Sequence, residues 1–126
     1  MRDQVVEFLA ALGVTGAGED VLLDFVVSNV QQRIMNLINL STVPDELEPM
    51  AVQMAAGDYL NLKKGSGQIG GFDLEAAIKQ IQEGDTTTTF AIGEGSSTPE
   101  QRLNGLIDFL INGRMAEIYR FRRIVW

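Results

Sequence analysis

Between Asp20 and Leu40, the apolar residues Leu22, Val26, Val30, Ile34, Leu37 and Ile38 recur at intervals of three and four. That period lines side chains along one side of an α-helix. Asp20, just ahead of the run, supplies the carboxylate that caps a helix start. A helix of this kind draws most of its stability from packing its apolar side, so other elements must cover it. The chain is therefore expected to be a helical bundle built around this segment. The opposite side carries Ser28, Gln31, Gln32, Asn36 and Asn39, polar but nearly uncharged. Such a face suits either a wet protein interface or plain solvent.

The neighbouring segments supply the partners. Residues 3–12 read as a short helix with Val5, Val6, Leu9 and Leu12 on one side, ended by Gly13. After Ser41-Thr42-Val43-Pro44, a third helix begins between Pro44 and Pro49 and ends near Lys64. Its small residues Ala51, Ala55, Ala56 and Gly57 predict a close approach by the second helix. A glycine-rich stretch over residues 65–71 reads as a flexible loop, and residues 73–83 as a fourth helix. Residues 86–92 are the one strand-like run, rich in threonine. A last helix opens at Thr98-Pro99-Glu100 and carries Leu103, Leu106, Ile107, Leu110 and Ile111 inward. From Met115 onward the pattern fits a helix or an extended chain equally well. The expected fold is mainly α, one small bundle of about four to five helices over residues 1–126. It carries one short β-strand or hairpin and a basic, aromatic C-terminal tail over 114–126.

Charge is distributed unevenly. Residues 1–101 hold five basic and fifteen acidic side chains, whereas 102–126 hold five arginines against Asp108 and Glu117. The acidic body argues against general nucleic-acid binding, which needs cations to displace phosphate counterions. No basic segment followed by a long apolar run marks a signal peptide, and no window is apolar enough to span a membrane. Synthesis in a cytoplasm is the expectation.

The chain has no histidine and no cysteine. Histidine bases, Cys-His and Ser-His-Asp nucleophile arrangements and the usual zinc ligand sets are thereby excluded. Asp45, Glu46 and Glu48 cluster, but at a helix start, where the dipole favours acidic groups. Gly65, Gly67 and Gly70 satisfy G-x-G-x-x-G, yet the segment before them reads as helix rather than strand, so the dinucleotide geometry is missing. No enzyme, metal or cofactor is expected.

Two features look suited to contact instead. The run Thr86, Thr87, Thr88, Thr89 and Phe90 would leave unpaired backbone groups in a helical domain. It must pair either within the chain or with another subunit. The tail holds Arg114, Tyr119, Arg120, Phe121, Arg122, Arg123 and Trp126, the residue types most enriched at binding hot spots. Three readings are open: packing on the chain's own helices, contact with phosphate, or docking in an acidic groove of another protein.

The order of these features resembles a known family. The segment from Leu22-Leu23-Asp24 to Leu37-Ile38, then Val43-Pro44-Asp45-Glu46-Leu47, then Ala51 to Tyr59-Leu60, looks like the helical hairpin of phage head–tail connector (adaptor, or head-completion) proteins. Ile81-Gln82-Glu83-Gly84-Asp85-Thr86 leading to Phe90 resembles the family's passage from helix to strand. Arg120-Phe121-Arg122-Arg123-Ile124-Val125-Trp126 is similar to its C-terminal end. The resemblance implies a structural virion protein made in the bacterial host. It implies a homo-oligomeric ring, a dodecamer in the usual case, seated between the portal and a stopper or tail-completion protein. DNA would pass through the ring's channel without specific binding, and the tail would dock on the portal. The alternative is a small helical phage regulator or DNA-packaging accessory that binds nucleic acid through its basic tail.

Overall fold

The computed structural model of the chain describes residues 1–14, 16–65 and 99–122. The expected strand with Thr86, Thr87, Thr88, Thr89 and Phe90, the expected helix over 73–83, the glycine-rich loop beyond Gly65, the Thr98 cap and the residues Arg123 and Trp126 lie outside them. Within them the chain is mainly helical, and the helices pack as a small bundle.

Helix α1 (Arg2–Ala11) ends as its sequence predicts. Gly13 takes a φ of +94°, Val14 N donates to Leu9 O at 2.9 Å, and Gly13 N to Ala10 O at 3.0 Å. This pair of bonds closes the last turn and uses the conformation that glycine adopts at least cost. A single 3₁₀ turn (Ala17–Glu19) leads to α2 (Val21–Ile38), whose first turn is capped by Asp20. Leu22 N donates to Asp20 Oδ1 at 3.0 Å. Asn39, with φ of 57°, ends α2, and Leu40 N returns to Met35 O at 3.2 Å. Asparagine is the non-glycine residue best able to hold that left-handed conformation.

A second 3₁₀ turn (Asp45–Leu47) precedes α3 (Glu48–Gly65), with Pro49 inside the first turn, where its missing N–H costs nothing. Helix α3 is the centre of the bundle. It packs against α1, α2 and α4 (Pro99–Asn112), and its residues Ala51, Val52, Met54, Ala55, Ala56, Tyr59 and Leu60 are buried around most of its circumference. A short α5 (Met115–Tyr119) then packs back on α2 through the fully buried Ile118. The ambiguous start of the tail is thus helical.

Two expectations are corrected. The buried line of α2 is Leu23, Val26, Val27, Val30, Ile34 and Ile38; Leu22 is 43% exposed and Leu37 only partly covered. Asp20 is tied to Tyr59 and Lys63 of α3, which turns the Asp20–Leu23–Val27 line toward α3 and Leu22 away from it. The close approach at Gly57 is made by α4 rather than α2. A Cβ built there would lie 2.8 Å from Ile111 Cγ1 and 2.9 Å from Leu110 Cβ. Tertiary geometry decided both points; helical period alone could not.

Candidate functional site

Acid–base chemistry has one strong focus among the described residues, and it is structural. Asp20 Oδ2 lies 2.5 Å from Lys63 Nζ and accepts a hydrogen bond from Tyr59 Oη at 2.9 Å. The Lys63 hydrogen bond, then the Leu22 amide and the Tyr59 hydroxyl, hold the Asp20 carboxyl down at about 2. Burial, reinforced by the Asp20 carboxylate, pushes the Tyr59 hydroxyl up to about 12. Lys63 Nζ also stands 5.5 Å from the centre of the Tyr59 ring, within cation–π range. At neutral pH the carboxylate is therefore charged, the phenol keeps its proton, and the partners are satisfied by one another. The cluster joins the start of α2 to the end of α3.

No group of three acidic, histidine or cysteine side chains among the described residues could hold a metal ion. Asp45, Glu46 and Glu48 occupy the 3₁₀ turn and the first turn of α3, as the dipole argument expects. Two shallow depressions lie on the surface, one beside Met1, Met35 and Thr42 and one beside Phe8, Pro49 and Val52. The first is also lined by Ser41 and Glu48, with no side-chain hydrogen bond joining them to each other or to Thr42 among the described residues. No helix among the described residues is long and apolar enough to cross a membrane.

The contact features are clearer. In the tail, Arg114 is half-buried and lies 3.7 Å from Glu117 Oε2, one turn along α5. Ile118 fastens α5 to the bundle. Beyond it, Tyr119 is 46% and Phe121 37% exposed, and Arg120 and Arg122 are exposed with no ion pair to any described residue. The structure thus separates the tail into an anchoring part, Arg114 to Ile118, and a presented part, Tyr119 to Arg122. Arg123 and Trp126 lie outside the described residues.

A second apolar surface escaped the reading of the sequence. At the start of α2, Val21 is 78% and Phe25 71% exposed, with Leu22 beside them. Positions 21, 22 and 25 share one side of the helix. The signal was present: the first ten residues of α2 hold more apolar side chains than one buried stripe requires. Asp24 lies within this face, paired with Arg2. The polar side of α2 is where the sequence placed it, with Ser28, Gln32, Asn36 and Asn39 exposed and Gln32 bonded to Asn36 at 2.9 Å. No protein-family model, curated protein or solved structure matches the chain.

Proposed function

We propose that the chain is a structural, ring-forming subunit of the phage head–tail connector kind, seated between a portal and a stopper or tail-completion protein. In this reading it performs no catalysis. The observation that carries it is the end of the described tail, where Tyr119, Arg120, Phe121 and Arg122 stand exposed at and just beyond the last residue of a helix held by Ile118. Exposed aromatics next to exposed arginines combine flat apolar area with strong donors, the composition of binding hot spots. The order of sequence motifs supports the family, and the acidic body suits a channel wall past which DNA must slide without sticking.

The tail is the docking element of this reading, and the portal is the partner that the family's arrangement gives it. Replacing Arg120, Arg122 and Arg123 with Glu should leave the helical content unchanged and abolish capture by the portal. Portal binding that survives the triple replacement overturns tail docking.

Exposed arginines also favour a second reading, in which the tail contacts nucleic acid as part of a phage regulator or packaging accessory. Each phosphate contact made by these arginines would appear as a salt dependence of duplex binding. Duplex affinity that falls steeply with salt and vanishes in the triple replacement supports this reading. Absence of duplex binding at low salt removes it.

A further inference from the structure

Among the described residues, exposed apolar side chains gather at the start of α2 and at the end of α5, in settings of opposite charge. The first face, Val21, Leu22 and Phe25 on α2, lies among Glu19, Asp20 and Asp24. Arg2 hydrogen-bonds both Asp24 and the Gly18 carbonyl, and Val6 lies against Gly18, so α1 borders this face. Among the described residues Arg2 pairs with Asp24 here and Lys63 with Asp20, which leaves Glu19 as the carboxylate beside Val21 without an ion pair. The second face, Tyr119 to Arg122, is aromatic and basic.

These two faces do not cover each other within one chain, since both remain exposed. Asp20 fixes the start of α2 beside Lys63, near the C-terminal end of α3. Helix α4 runs antiparallel to α3, with Asn104 at Lys64 and Leu110 at Gly57. It therefore ends level with the middle of α3, from where α5 packs back on α2. Two unlike, complementary faces, both exposed on one body, define a heterologous contact. Such a contact builds head-to-tail assemblies, closing into a ring when the rotation permits.

We infer that the acidic, apolar start of α2, centred on Val21 and Phe25, receives Tyr119 to Arg122 of a second copy of this chain. The inference rests on the ring reading and gives Tyr119 to Arg122 to the neighbouring copy in place of the portal, so that the triple arginine replacement would lose portal capture through loss of the ring. Phe121 and Tyr119 would cover Phe25 and Val21, while Arg120 and Arg122 face Glu19 and Asp24.

The test uses full-length chains and sedimentation or native mass measurement. The wild type should assemble. Phe25→Asp and Phe121→Asp each spoil one face, and both sites are exposed enough to leave helicity intact. Each variant alone should associate about thirtyfold or more weakly, the scale of a lost hot spot. An equal mixture should give a heterodimer and nothing larger, because one good face remains on each copy. Variants that assemble like the wild type, or a mixture that stays monomeric, overturn the inference. If the variants assemble and still bind the portal, only this contact falls and the ring reading stands. A wild type that stays monomeric alone and with its portal overturns both.

Discussion

Gly57 is the point where α3 and α4 leave no room for a side chain, and the cost of filling it can be worked out. A Cβ there would sit 2.8 Å from Ile111 Cγ1, 2.9 Å from Leu110 Cβ and 3.3 Å from the Ile107 carbonyl oxygen. Two effects oppose each other in Gly57→Ala. Alanine gains about 1 kcal/mol of helix propensity over glycine. Overpacking a fitted contact costs about 1–3 kcal/mol. The net change is expected to be destabilising by about 0–2 kcal/mol, or up to roughly 8 °C in Tm for a domain of this size. Ile111→Ala removes the Cγ1 atom, so the same Gly57→Ala change in that background should lose part of its penalty, the contact with Leu110 Cβ remaining. Urea unfolding of the wild type, both single variants and the double variant closes a thermodynamic cycle. It should show a favourable coupling of about 1 kcal/mol or more. Strictly additive effects together with a stabilising Gly57→Ala change would refute the close approach.

The register of α2 is checked by a pair of neighbours: Leu23→Ala should cost about 2–5 kcal/mol in denaturant unfolding, and Leu22→Ala well under half of that. Equal losses would restore the sequence-based register. The Asp20 clamp is read by pH. Its folded pKa of about 2 lies below the ordinary 3.8. The stabilisation is therefore complete above about pH 4 and is lost as pH falls toward 2. Melting curves should show the gap between wild type and Asp20→Asn narrowing across that window; a constant gap contradicts the clamp. Tyr59 has its pKa raised from 10 to about 12, so its contribution is complete below pH 10 and is lost as pH rises toward 12. Absorbance titration of Asp20→Asn should find Tyr59 ionising at lower pH than in the wild type.

Much of the helical frame was legible because it is written in local rules. Gly13 stops α1, Asp20 caps α2, and Pro49 lies in the first turn of α3, each for a reason confined to a few residues. The errors came where a partner decides. Leu22 and Leu23 both satisfy a helical period, and only the ties from Asp20 to Tyr59 and Lys63 select Leu23. Gly57 announces a close neighbour without saying which helix it is. Helix α3 is covered around most of its circumference, so its sequence shows no clean stripe to read. Phe109, buried on α4, was missed because it falls beside the chosen line of Leu106 and Leu110. The gathering of arginines and aromatics after residue 114 is a matter of composition, and Tyr119 to Arg122 are exposed. The exposed Val21 and Phe25 were not legible in that way, because apolar residues on a helix default to core until the core is seen to be full.

The account holds that these surfaces exist to meet other protein chains in a closed assembly. Electron microscopy of the purified chain, alone and mixed with its portal, bears on this most directly. Rings of a single stoichiometry, seated coaxially on the portal in the mixture, are the predicted result. Particles of one-chain size in both samples, with portals left bare, would contradict it.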